Sequence, residues 1–183
     1  RISEFAGTIL LVFQPGERWE YCNTNYTTLA SVIEAVSGMT ADKFLKQYIT
    51  TPLKMNDTYI YHLKMKSFPA SRVFGFHWEG GTRVVDDLIR FDGIVGDGNV
   101  YSSAEDLLKW DQALYTEKLV KQESLKKAWT PGKLNNGKAT QYGFGWGINE
   151  PGKKVSHTGG WVAFRTVINR YIDKNQTVIV LGN

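Results

Sequence analysis

The chain holds 183 residues, 42% of them apolar and 22% charged, with a net charge of +4. That length suits one domain, or one and a half small ones, and can bury a real core. A membrane-spanning helix is excluded because no apolar run approaches ~20 residues, and an internal disulfide because Cys22 is the single cysteine.

The apolar run at residues 9–13 ends at Pro15-Gly16, a turn signal. Polar, turn-prone Tyr21-Cys22-Asn23-Thr24-Asn25 follows. From Tyr26, the spacing of Leu29, Val32, Ile33 and Val36 predicts a helix with one apolar face, ended by Gly38. Thr40 then caps a second helix, with Phe44, Leu45 and Tyr48 on one face and Pro52 as its stop. Residues 53–72 read as irregular, and 73–86 as a hairpin turning at Glu79-Gly80-Gly81. Gly93 to Asn99 is a glycine-rich loop. Ser103 with Asp106 makes a capping-box-like start to a helix whose buried stripe is Leu107, Leu108, Trp110 and Leu114. A short helix over 123–128 closes a mainly helical region, residues 1–136. Lysines at 118–127, 133–138 and 153–154 read as solvated faces, and no nucleic-acid motif accompanies them.

Beyond Asn136 the pattern changes. Tyr142-Gly143-Phe144-Gly145-Trp146-Gly147 alternates aromatic and glycine, as in a strand packed on one face. Residues 154–158, 162–172 and 177–181 are three further strands, and Asp173-Lys174-Asn175 turns the chain between the last two. Short connections imply antiparallel neighbours, so residues 137–183 form an antiparallel sheet and the fold class is α+β. Val178-Ile179-Val180-Leu181 is apolar throughout and needs cover on both faces. The preceding helices serve one face only. The expectation is a piece of a larger fold, truncated at the N-terminus and at the C-terminus.

The stretch that carries chemistry is His157-Thr158-Gly159-Gly160-Trp161. Two glycines without Cβ let a substrate or another backbone come close, and an imidazole and a hydroxyl stand just before them. Alone, this also describes a strand with a glycine bulge beside a core histidine. Together with Tyr21-Cys22-Asn23, it resembles two of the three signature motifs of the serine β-lactamase and penicillin-binding-protein superfamily. The branch it resembles is the class C-like one, which also holds D-amino-acid peptidases and esterases. The run from Pro15 to Tyr26, the run from Gly96 to Leu107, Trp129-Thr130-Pro131 and residues 142–147 resemble it in order and spacing.

The resemblance implies a β-lactamase/transpeptidase-like fold and a serine hydrolase that acts on amides or esters through an acyl-enzyme. Tyr21 is implied as general base and then acid, and Asn23 as the holder of the family's lysine and of the substrate amide. The Gly160 N–H is implied as an oxyanion donor, Gly159 as the opening beside the strand, and Thr158 as a partner for a substrate carboxylate. A free tyrosine titrates near about 10 and needs positive charge beside it to act as a base; the family's lysine and His157 are the sources implied. Trp161 is the aromatic best placed to line the cleft, whereas Trp78 and Trp146 read as core.

Two features depart from the common pattern. Most β-lactamases carry lysine where His157 stands, and histidine is more like the peptidase and esterase members. Cys22 occupies the middle of the Tyr-x-Asn motif, either as a small buried residue or as a reactive thiol partnered by His157. The family's Ser-x-x-Lys nucleophile lies upstream of Tyr-x-Asn, and no such motif precedes Tyr21. Ser124-Leu125-Lys126-Lys127 matches the letters but falls after Tyr21, on a lysine-rich helix face. The nucleophile is therefore expected from an N-terminal segment needed to complete the site. The other readings are a non-catalytic penicillin-binding-like module for peptide ligands, or an inactive fragment. No cofactor is implied, and His62 and His77 have no metal-ligand spacing with each other or with His157. The expected partner is a small-molecule or peptide substrate bearing an amide or ester. The resemblance implies an extracytoplasmic setting, periplasmic or at the cell surface.

Overall fold

The computed structural model describes residues 11–61, 65, 67–89 and 91–183. Residues 9 and 10 of the first apolar run, and His62, lie outside the described residues. Helix α1 spans Asn23–Ser37 and stops where Gly38 turns left-handed, at φ 69°, a conformation glycine adopts without a Cβ penalty. Its aliphatic residues do not face a core. Leu29, Val32, Ile33 and Val36 are all exposed, Val36 by 84%, and the buried positions are Thr27 and Ala30. Small residues are buried there because the glycine-rich loop comes in close: a Cβ on Gly96 would meet the Tyr26 carbonyl and the Ala30 methyl.

Pro52 does not stop the second helix. Helix α2, Ala41–Leu45, continues through a π-helical turn, Lys46–Thr50, into α3, Thr51–Leu53. Proline has no N–H to give to a carbonyl four residues back, and the widened turn just before it absorbs that loss. Lys54, left-handed at φ 56°, ends the run, and the Met55 N–H reaches back to the Thr50 carbonyl at 2.8 Å. The stretch read as irregular holds a short strand, β1 (Tyr59–Ile60). It pairs with β4 (Val100–Tyr101) and stacks the Tyr59 and Tyr101 rings at 5.3 Å. Between them lies the hairpin of β2 (Phe76–Glu79) and β3 (Thr82–Val85), where Trp78 is exposed rather than in a core.

Helix α4, Ala104–Ala113, starts on Ser103, whose hydroxyl accepts the Asp106 N–H at 3.2 Å. The helix is anchored by carboxylates as much as by hydrocarbon. Leu108 is exposed, while Asp106 and Asp111 are almost completely buried. Asp106 takes the Asp57 N–H at 2.8 Å, the Thr58 hydroxyl at 2.9 Å and the Lys109 ammonium at 2.6 Å. Burial alone would raise its carboxyl, but Lys109, Thr58 and the Asp57 amide together hold it below the usual range.

Helix α5, Gln122–Ala128, leaves Ser124, Lys126 and Lys127 exposed and turns only Leu125 inward. Residues 142–146 form a tight loop rather than a strand. Tyr142 bridges Gly147, and the Gly143 N–H bonds the Trp146 carbonyl at 2.8 Å, which drives Trp146 into the core.

The four-stranded antiparallel sheet has the order β5-β6-β7-β8: Gly147–Glu150, Lys154–Trp161, Phe164–Tyr171 and Gln176–Gly182. One face packs on the helices through Val155, with Leu114, Leu125, Trp129, Trp146 and Ile148 around it. Burying such a side chain contributes about 1.5–3 kcal/mol. Arg170 stands beside Val155 on this face with no exposure, its Nε–H donating to Asp111 Oδ1 at 2.5 Å, and Thr177 donates to the same oxygen at 2.8 Å. The other face carries Val178 and Val180 half exposed.

Candidate active site

Strand pairing sets the site. β5 meets β6 only from Gly147↔Ser156 to Glu150↔Lys154. β6 runs on through His157-Thr158-Gly159-Gly160-Trp161, where β7 is its sole strand neighbour among the described residues. Among the described residues, one edge of these five is therefore unpaired. Along a strand, side chains alternate between faces. His157, Gly159 and Trp161 share the core face, and Thr158 and Gly160 the other. Gly159 is glycine for a local reason: a Cβ there would collide with Thr166 Oγ1 across the pair.

Tyr21 arrives at this edge from far along the chain. Its ring centroid lies 6.1 Å from that of His157 and 5.8 Å, edge-on, from that of Tyr142, and the residue is 47% exposed. Trp19 closes the group, 5.3 Å from Tyr142. A cleft of about 220 Å³ opens here, lined by Trp19, Tyr21, Asn25, Tyr26, Leu29 and Tyr142 among others. Asn23 is the first residue of α1, exposed and two positions from Tyr21. Its carbonyl takes the Thr27 hydroxyl at 3.3 Å, and no hydrogen bond among the described residues links its side-chain amide to Tyr21 or His157. Cys22 is exposed at the helix start rather than buried, because it precedes the first helical turn instead of facing a neighbour.

Both ring nitrogens of His157 are engaged. Nδ1 lies 2.6 Å from the Thr158 carbonyl, and Nε2 lies 2.8 Å from the Tyr142 hydroxyl. A carbonyl only accepts, so Nδ1 carries a proton. Burial pushes the Tyr142 phenol up, helped by the nearby Tyr26 and Tyr21 hydroxyls, so it keeps its proton. At the far end of the edge, Trp161 is 37% exposed and donates its Nε1–H to Asp92 Oδ1 at 2.6 Å. Asp92 is buried in the turn before the glycine-rich loop and also accepts the Ile89 N–H. The strand end is thus tied to the turn before the glycine-rich loop, and that loop packs on α1 at Gly96.

Tyr21 and His157 come together, and Thr158, Gly159 and Gly160 follow His157 along β6; Asn23 is two positions from Tyr21, and Trp161 ends the strand beside Asp92. Sequence reasoning missed Trp19 and Tyr142. Tyr142 was visible only as one member of an aromatic–glycine alternation, and a strand reading aims it at a core. The Arg18-Trp19-Glu20 step carried no signal beyond its closeness to Tyr21.

This fold and crevice define a class, and comparison with known proteins gives the family. The Beta-lactamase family model matches residues 2–183, and the chain belongs to that family. It is 39% identical over 186 residues to penicillin-binding protein 4* of Bacillus subtilis (strain 168), covering 93% of this chain and 41% of that protein. It is 27% identical over 179 residues to a D-aminopeptidase of Brucella anthropi, covering 93% of this chain and 32% of that one. Among solved structures, the octameric penicillin-binding protein homologue from Pyrococcus abyssi superposes with a TM-score of 0.75 at 30% identity, over 94% of this chain and 40% of that one. The chain therefore spans less than half the length of these relatives.

Proposed function

We propose that these residues supply the base and the oxyanion strand of a serine hydrolase that cleaves amides or esters through an acyl-enzyme, of the D-peptidase or esterase kind. In this reading the serine is supplied from outside residues 1–183, which span 41% of the length of penicillin-binding protein 4*. The observation that carries the reading is the meeting of Tyr21 with His157 at the point where β6 loses β5.

Tyr21 takes the proton from the attacking serine and returns it to the leaving group. Gly160 shares an edge with Thr158, two residues back, and its N–H stabilises the oxyanion as the carbonyl becomes tetrahedral. The acyl chain lies along the free edge as an added strand, which Gly159 leaves unobstructed. The Asn23 amide orients the substrate amide, the Thr158 hydroxyl meets a polar group of the substrate, and Trp161 bounds the cleft. An extracytoplasmic setting goes with this reading; among the described residues no helix is long and apolar enough to cross a membrane.

The test is covalent labelling of the full-length protein with a fluorescent penicillin and with a fluorophosphonate. A stoichiometric adduct with either reagent is expected. A folded protein that takes neither label overturns the enzyme reading, and a label that never turns over with any amide or ester would mark a binding module instead.

A further inference from the structure

We propose that Tyr142 is a positioning residue for His157: its hydroxyl holds Nε2 while the Thr158 carbonyl holds Nδ1, so His157 shapes the crevice and does not itself grip a substrate carboxylate. The part of this that concerns substrates rests on the hydrolase reading; the part that concerns the histidine does not.

Tyr142 is well placed to act as a fixed point. Its carbonyl accepts the Gly132 N–H at 3.0 Å and the Thr140 hydroxyl at 2.9 Å. The next residue, Gly143, lies so close to the Ala128 carbonyl that a Cβ would not fit. Trp19 and Tyr21 flank the ring. The backbone thus cannot slide, and the phenol meets Nε2 at 2.8 Å. With Nδ1 protonated toward the Thr158 carbonyl, the neutral imidazole has only a lone pair left at Nε2; Tyr142 gives its one proton there, and its oxygen is left to accept from the neighbouring Tyr26 hydroxyl. If the ring gains a second proton, Nε2–H donates to the phenol oxygen instead. In either charge state both nitrogens stay within the protein.

The consequence is a choice of substrate class. A lysine or a free imidazolium at this position offers an N–H to a carboxylate. Here that N–H is spent on Tyr142, and the crevice favours acyl substrates whose adjoining end is uncharged, such as a carboxamide or a neutral ester. Only the Thr158 hydroxyl and the strand edge remain to read that end.

The test uses the full-length protein labelled with 15N-histidine, with His157→Gln to assign the signal. The wild type should show His157 as the Nδ1–H tautomer when neutral, and Tyr142→Phe should let it populate both tautomers. Two substrates differing only in a terminal carboxylate or carboxamide give the kinetic arm. His157→Gln should lower kcat/KM on both by the same factor. Tyr142→Phe, by releasing Nε2, should shift the ratio toward the carboxylate about fivefold, the size of one hydrogen bond. An Nε2–H tautomer in the wild type overturns the proposal even if the variant fails to fold. So does an unchanged tautomer in Tyr142→Phe, or a His157→Gln penalty confined to the carboxylate. Failure of the folded wild type to take either the penicillin or the fluorophosphonate label would remove the hydrolase reading and leave the tautomer measurement to decide on Tyr142.

Discussion

The two halves of β6 share one backbone and do opposite things. Over Lys154, Val155 and Ser156 the strand has β5 on one side and β7 on the other, and Val155 is fully buried. Over residues 158–161 every residue is exposed and, among the described residues, one edge has no strand beside it. The change comes where β5 runs out: β5 has four residues and β7 has eight. A short neighbour thus turns a core strand into a template with free backbone groups. Native proteins usually hide such an edge; here Tyr21 and Tyr142 pack around His157, the residue just before it. The closed half fixes the strand, and the open half has the freedom that a substrate needs.

The sharpest way to separate the halves is to change one without disturbing the other. Tyr21→Phe removes a single hydroxyl from the open end. It should lower turnover of the full-length enzyme by about 100- to 10,000-fold, the range of a lost general base, with the unfolding midpoint unchanged. Steady-state kinetics beside denaturant unfolding would show it, and activity within a few-fold of wild type would strip Tyr21 of its role.

Asp111→Ala does the reverse. It strands the fully buried Arg170 without its partner and should cost about 3–5 kcal/mol of stability, while the folded fraction keeps its kcat/KM. A specific loss of activity in folded protein would mean that the two halves are not separable.

A smaller effect is expected at the seam. In Gly159→Ala the new methyl pushes Thr166 aside, and acylation should slow about tenfold, a shift of roughly 1.4 kcal/mol. Adding Thr166→Ala should restore most of it, because the colliding hydroxyl is gone. An additive double mutant would place the cause elsewhere.

An effect of similar size, on stability alone, concerns the carboxylate that anchors α4. Asp106→Asn should destabilise by about 1.5–3 kcal/mol near neutral pH, the cost of hydrogen bonds to a charged group. The folded Asp106 carboxyl titrates below that of an unfolded aspartate, so the unfolded chain binds its proton first as pH falls. Its contribution is intact above the usual aspartate range, near about 3.9, and fades as pH drops through the lowered folded value. Unfolding curves of wild type and variant should converge in acid. A gap that widens in acid would contradict the assigned direction.

Much of this was legible in the residues, and the misses have physical causes. Glycines and turn residues marked the hairpin at Gly80-Gly81 and the turn at Asn175, since left-handed backbone leaves a local trace. His157, Gly159 and Tyr21 stood out because their chemistry is local as well. Periodicity misled in the helices. It assigns a face without knowing what lies opposite: Leu29, Val32, Ile33 and Val36 fall at helical spacing, yet all four are exposed. In α4 the reverse happened: Asp106 and Asp111 look like surface residues until Lys109 and Arg170 are brought to them. Tyr142 was missed for the same reason, because its partner His157 lies across the sheet and only the folded chain brings them together.

The most direct measurement is the structure of the full-length protein after reaction with a fluorophosphonate. The phosphonyl oxygen should sit within hydrogen-bond reach, about 3 Å, of the Gly160 N–H on the open edge of β6, with the Tyr21 hydroxyl beside the modified serine. An adduct on a residue remote from β6, or one with its oxygen turned away from Gly160, would contradict the division of labour along this strand.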